Sequence, residues 1–394
     1  MLNVITPYAV FIDGCLNGTC ALAKSKLMNS SRVIIISTIL FLSQIIFSKK
    51  TIAQYKANYR YEVERVLPDI YILKPIINQY RWVTANIIVL VNDSDVVVVD
   101  SGLLPAAAIE AIKEIKKITD KPIRYLINTH WHGDHWQGND AFATAFPNID
   151  IISTEQAKKG MARNGLVWAK QFYFKHFNNY LKDFENSLKE KSIDGKPLSQ
   201  PQMMELQTGI VQMNEDLADL KNLKLVLPTI TFSENLILQK GAREIQILYL
   251  GIGNTSGDGV IYLPKEKVVI TGDLVVYPSP FESGMFSPEW LETSKKLSLL
   301  DFQYLLPGHG EVQRDKKYIF YLNALFEEII KQVSEAYSQG NSKLEDVKLR
   351  VTHQTVTDKL NLVPEYKTFT NQLDQEFVPA AIQTAYKRII QGKQ

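Results

Sequence analysis

Within the stretch Thr129-His130-Trp131-His132-Gly133-Asp134-His135, three imidazoles and one carboxylate occupy six consecutive positions. Neutral imidazole nitrogen and carboxylate oxygen are donors that divalent metals such as zinc favour, about four or five to an ion. In an extended segment His130 and His132 point to the same side, so both reach one ion. Gly133 permits a tight turn that carries Asp134 and His135 toward a second position. The alternative is a loop of unrelated surface residues, which requires four ligand-type side chains to gather by chance. Just upstream, Ile123-Arg124-Tyr125-Leu126-Ile127-Asn128 reads as a short strand running straight into the cluster.

The rest of the chain reads as an ordinary globular α/β protein. Its 394 residues suit one large domain or two smaller ones, and 45% hydrophobic with 22% charged residues excludes disorder and a polytopic membrane protein. A formal charge of +2 argues against a nucleic-acid partner. Cys15 and Cys20 are the only cysteines, so the body has neither a disulfide framework nor a cysteine-rich zinc site.

Strand signals begin near Asp69, at Ile70–Leu73, and Asn86–Val91 and Val96–Val99 flank the polar turn Asn92–Asp95 as a hairpin. The unbroken valine run predicts a strand covered on both faces. Pro105–Thr119 reads as a helix with Ile109, Ile112, Ile115 and Ile118 as its buried stripe. Residues 155–222 lose strand character and read as a helical insertion, broken near Asp194-Gly195-Lys196-Pro197. Its aromatic residues (Trp168, Phe172, Tyr173, Phe174, Phe177, Tyr180, Phe184) suit core or a substrate wall. Strands resume at Leu223–Val226, Thr229–Phe232, Leu236–Gln239, Glu244–Leu250, Val260–Leu263 and Val268–Thr271. A helix around Ser287–Leu300 precedes Tyr304–Pro307, and the last eighty or so residues look mostly helical.

The front end reads as an address. Val33–Ser48 is apolar apart from small hydroxyls and one Gln, and is shorter than the roughly 20 residues a spanning helix needs. Arg32 precedes it, and Thr51-Ile52-Ala53 gives a small-residue exit before Gln54. This is the pattern of a secretory signal over residues 1–53, with Met28 a more ordinary start than Met1. The expectation is therefore a periplasmic or secreted protein with no membrane contact after cleavage. An uncleaved anchor through residues 33–48 is the alternative. Removal of residues 1–53 also removes both cysteines, which suits an oxidising compartment.

The histidine stretch resembles the HxHxDH signature of the metallo-β-lactamase-fold hydrolases. Val99-Asp100-Ser101-Gly102 resembles the strand end that precedes that family's first helix, and Gly272-Asp273 resembles its bridging aspartate. Pro307-Gly308-His309-Gly310 resembles its last histidine ligand, so the likeness runs from Asp69 to Val312, about 60% of the chain. The resemblance implies a four-layer αββα sandwich over residues 54–315, with the insertion 155–222 and a helical extension 316–394. It implies that His130 and His132 bind one metal, that Asp134, His135 and His309 bind a second, and that Asp273 bridges them. Asp100 then either holds an imidazole N–H or caps the following helix.

The sequence departs from the family at Gly251-Ile252-Gly253-Asn254-Thr255-Ser256-Gly257-Asp258, where Asn254 stands in place of a first-site histidine. An amide oxygen is neutral and a poorer zinc donor than imidazole. Either the first site binds weakly, or it takes manganese or iron, or it has decayed. His176 and His353 lack ligand-spaced neighbours and read as ordinary surface or packing residues.

The resemblance implies a metal-dependent hydrolase holding one or two zinc ions (Mn2+ or Fe2+ as alternatives). It would use metal-bound hydroxide on an ester, lactone, amide or phosphodiester of a small-molecule substrate, with Asp134 as the catalytic residue. The rival is a catalytically impaired binding protein that kept the fold, possibly membrane-tethered.

Overall fold

The structure is a computed structural model; it describes residues 59–76, 84–165, 167, 174–281, 286–340 and 343–391. The signal region, Met28, Trp168, Phe172 and Tyr173 lie outside the described residues.

In chain order the first strands are β1 (Tyr61–Leu67), β2 (Ile70–Pro75), β3 (Ile87–Val91) and β4 (Val96–Val99), each antiparallel to the last. The β3–β4 turn closes as the polar cluster predicts, with Asn92 donating to the Asp95 carbonyl at 2.8 Å and to its carboxylate at 2.9 Å. Helix α1 (Pro105–Ile118) then crosses over to β5 (Ile123–Ile127), parallel to β4, and β6 (Asp150–Thr154) continues the parallel run. After the insertion, which holds the short strands β7 (Ser192–Ile193) and β8 (Lys196–Pro197), β9 (Ile230–Phe232) completes a seven-stranded sheet beside β6. The second sheet has five strands: β10 (Asn235–Lys240), β11 (Arg243–Tyr249), β12 (Gly259–Leu263), β13 (Val268–Val276) and β14 (Tyr304–His309). Of its pairings only β13 with β14 is parallel.

Burial explains the stacking. Strand side chains alternate between faces, so Val97 and Val99 of β4 enter the core between the sheets with Ile245, Ile261, Ile270 and Leu306. Val96 and Val98 face the other way, onto Ala108, Ala111, Ile112 and Ile115 of α1. On the far side of the second sheet, Val260, Val269 and Leu305 pack with Trp290 of helix Pro288–Leu299 and with Tyr318, Phe326 and Ile329 of helix Lys317–Ser338. Helix, sheet, sheet, helix is the αββα order. The helical extension at the C-terminus is present, and Val378, Ala381, Ile382 and Ala385 belong to that same apolar cluster.

Two local expectations need correction. Ile109 is 47% exposed, because steps of three drift around a helix of 3.6 residues per turn; the buried stripe is Ala107, Ala108, Ala111, Ile112 and Ile115. Leu223–Val226 forms no strand: the Val226 carbonyl accepts from Asn139 Nδ2 at 2.9 Å, and Leu225 packs beside Trp136.

Residues 177–217 form a separate compact unit. It contains the Asp194-Gly195 hairpin, whose two positive φ angles (50° and 72°) suit a tight two-residue turn. Phe177, Leu206, Met213 and Leu217 are buried, and Tyr180 and Phe184 pair one helical turn apart. Among the described residues no helix is long and apolar enough to cross a membrane.

Candidate metal centre

Parallel strands end side by side, so the C-terminal ends of β4 and β5, with the residues after them, and the C-terminal parts of β13 and β14 gather at one edge of the sandwich. Asp100 follows β4; Asn128 and the histidine stretch follow β5; β13 contributes Asp273 and β14 ends on His309. Gly272 makes the approach possible: its φ is +50°, and a Cβ there would lie 2.5 Å from Thr129 Oγ1. Gly308 is equally constrained, since a Cβ would fall 2.1 Å from Asp273 Oδ1.

The side chains fall into two groups whose donor atoms lie within 4.8 Å of one another: His130, His132 and Asp273, and Asp134, His135 and His309. In the first, His130 Nε2 is 3.0 Å from His132 Nδ1 and 3.7 Å from Asp273 Oδ2. In the second, Asp134 Oδ2 is 3.0 Å from His309 Nε2 and 3.4 Å from His135 Nε2. Asp273 faces both groups, because its Oδ1 lies 3.3 Å from His135 Nε2 and 3.5 Å from His309 Nε2. His135 Nε2 and Asp273 Oδ1 face each other at 3.3 Å without a well-formed hydrogen bond, and such a convergence of buried nitrogen and oxygen donors is what a cation between them satisfies. The residues therefore fit divalent metal.

Asp100 orients this assembly and does not cap α1, whose N-cap is Leu104. Its carboxylate accepts from the Thr129 N–H at 2.8 Å and from Thr129 Oγ1 at 2.9 Å, and lies 2.7 Å from His135 Nδ1. Thr129 Oγ1 is in turn 3.0 Å from His130 Nδ1, so one aspartate reaches one histidine of each group. Asp100 does this from a left-handed backbone (φ 63°), a strained position that the surrounding bonds hold.

Asn254 is fully buried, with Nδ2 3.3 Å from His132 Nδ1, so it stands beside the first group. Asp258 accepts from the N–H and Oγ1 of Thr255 (2.7 and 3.0 Å), and burial pushes its carboxyl up to about 7. His176 and His353 belong to neither group.

The electrostatics divide the histidines. Burial drives His130 well below its ordinary range and His132 down to about 4, against the pull of Asp273 and Asp134. Burial acts the same way on His135 and His309, but Asp273 and Asp134 outweigh it and hold both above the ordinary range. Burial likewise opposes ionisation of Asp134 and Asp273, yet His135 and His309 keep both carboxyls below the usual carboxylate range.

A buried polar support stands behind the donors and is not evident from the sequence. The His135 carbonyl accepts from the Ser101 N–H at 3.0 Å and from Asn128 Nδ2 at 3.1 Å, while Asn139 Oδ1 accepts from Ser101 Oγ and Asn128 Nδ2. Single Ser and Asn residues carry no periodic signal; only adjacency to the histidine stretch points to Asn128.

Residues 80–309 match the model of the metallo-beta-lactamase superfamily. A linear primary-alkylsulfatase from Pseudomonas sp. (strain ATCC 19151) is 21% identical over 314 residues, covering 75% of this chain. The chain spans about half the length of that curated relative, 53%. Among solved structures, a stereoselective inverting sec-alkylsulfatase from Pseudomonas sp. superposes with a TM-score of 0.55 at 14% identity, over 83% of this chain and 50% of that one. A metallo-beta-lactamase from Pontibacter korlensis aligns with a TM-score of 0.46 at 16% identity, over 68% of this chain and 99% of that one. The family match covers more than half of the chain and includes both histidine motifs, and the chain belongs to the metallo-beta-lactamase superfamily.

Proposed function

We propose that this chain is a metal-dependent hydrolase of ester-type bonds in small molecules. The observation that carries the reading is Asp273, whose two oxygens face different groups of donors: Oδ2 toward His130, Oδ1 toward His135 and His309. A shared carboxylate is what two cations about 3.5–4 Å apart require. His130, His132 and Asp273 would hold one ion with Asn254 beside them; Asp134, His135 and His309, sharing Asp273, would hold the other. Zinc suits the imidazole nitrogens, with manganese or iron as the alternatives for an oxygen-richer first position.

When bound, such ions bring the pKa of water toward 7 and polarise a substrate oxygen. Asp134 is the catalytic residue: it orients the attacking water, takes its proton and returns it to the leaving oxygen. Asp100, 2.7 Å from His135 Nδ1, would fix that ring's tautomer and leave its Nε2 free to hold an ion. The names of the two alkylsulfatase relatives make alkyl sulfates the first substrates to try, ahead of carboxylic esters, lactones, phosphodiesters and amides. Residues 33–53 support export, which N-terminal sequencing of the exported protein checks: a chain beginning at Gln54 is expected, and one retaining residues 33–48 is the tethered form.

The test is hydrolysis of that substrate panel by the purified protein loaded with zinc, manganese or iron. Turnover that a chelator abolishes and added metal restores is expected. A protein that binds metal yet turns over none of the panel would overturn the proposal in favour of the binding-protein reading.

A further inference from the structure

Asn86 lies outside both groups of donors, yet it holds the turn that carries His309. It is 2% exposed and stands immediately before β3, in the first sheet. Its Nδ2 donates to the carbonyls of Pro307 (3.1 Å) and Gly310 (3.0 Å), and its backbone N–H donates to that of Gly308 (2.8 Å). The fourth carbonyl of the turn, that of His309, accepts from the Tyr277 N–H at 3.1 Å. Every carbonyl of Pro307-Gly308-His309-Gly310 is thus occupied, three of them by one residue.

The choice of amide follows from the partners. Both side-chain contacts are carbonyl oxygens, so the nitrogen of the amide must face them. Asp has the same shape but offers two acceptors, and an apolar residue takes the side-chain donor from one buried carbonyl and one half-buried carbonyl. The turn has no slack on its other side, because Gly308 already sits against Asp273.

We propose that Asn86 is a positioning residue for His309. It ties a turn of the second sheet to the first, and so fixes His309 Nε2 relative to Asp134 and Asp273. The inference rests on the two-metal reading above, and its test keeps the two separable.

Asn86→Asp is compared with wild type and with His309→Ala in two measurements. In cobalt(II) titrations followed by absorption, Asn86→Asp is expected to weaken by about 10–100-fold the same equivalent that His309→Ala removes, leaving the other unchanged. In metal-free protein, exchange of the Tyr277 amide is expected to quicken by about tenfold while β12 amides keep their rates. A lower melting temperature with unchanged cobalt affinity makes Asn86 merely structural and overturns the proposal, as does wild-type exchange at Tyr277. If the wild type takes up no cobalt, the two-metal reading fails, and the exchange measurement alone then decides whether Asn86 holds the turn. Should Asn86→Asp not fold, Asn86→Ala removes the same donors and is judged identically.

Discussion

The carboxylate nearest His130 is Asp273, 3.7 Å away, whereas His135 stands among Asp100 at 2.7 Å, Asp273 at 3.3 Å and Asp134 at 3.4 Å. Both imidazoles are completely buried, so burial penalises their charged forms alike. The number and closeness of carboxylates then decides the direction: burial wins at His130 and His132, which are shifted toward the neutral form, while Asp273 and Asp134 win at His135 and His309, which are shifted toward the charged form. The same residue type at the same depth thus prepares two different positions. The first is ready to donate to a metal but has only a shared carboxylate and a neutral amide to offset the cation's charge. The second has more negative charge to offer, but its histidines hold protons more tightly than those of the first, and a metal competes with those protons.

The harshest way to break this comparison is Asp134→Ala. It removes the carboxylate proposed to be catalytic, which is a donor of the second group only. Hydrolysis should fall by about 10²–10⁴-fold with the circular dichroism spectrum unchanged. Metal analysis should show the first position still able to load, and equal loss at both would mean that the groups do not act separately.

Asp100→Ala comes next. The second position should lose about 10–100-fold in zinc affinity by chelator competition, and the first less, since Asp100 reaches His130 only through Thr129. Asn254→His runs the other way. An imidazole in place of the amide should tighten the first ion by about tenfold and leave the second untouched.

The pH dependence sharpens the contrast further. Because His135 and His309 are raised in the metal-free protein, metal entering the second position displaces their protons, and its apparent affinity should climb as pH rises. His132 at about 4 is already neutral near pH 7, so the first position should show little such slope. Calorimetry in buffers of different ionisation enthalpy counts the protons released per ion, and equal release at both positions would refute the assignment.

The smallest expected effect is Asp258→Asn. The folded carboxyl, raised to about 7, prefers its protonated form, so its contribution to stability is present below the unfolded value near 4. That contribution is lost as pH rises through about 7. Thermal melts of metal-free protein should therefore show the wild type losing ground to Asp258→Asn between pH 5 and pH 8. A difference independent of pH would contradict the burial argument.

The sequence makes the metal centre more legible than its support. His130 to His135 are contiguous, and Asp273 and His309 each sit in a short glycine-bearing stretch after an apolar run, so residue type and position together expose them. The valine run of β4 announces its own burial on both faces. Ile109 misleads because a spacing of three imitates a helical stripe over one turn and drifts off it over three. Leu223–Val226 misleads because apolar residues alone do not separate a strand from a segment packed beside Trp136. Asn86 is invisible at that level: its partners lie 221 and 224 residues away, and the contact exists only once the two sheets have stacked. The choice between the two roles open to Asp100 likewise required three-dimensional distances to Thr129 and His135.

The shared role of Asp273 is tested most directly by titrating metal-free protein with zinc and measuring bound metal per chain, in the wild type and in Asp273→Asn. Two equivalents of unequal affinity are expected in the wild type, both weakened by the substitution. One equivalent in the wild type, or an Asp273→Asn protein in which only a single equivalent weakens, would contradict that shared role.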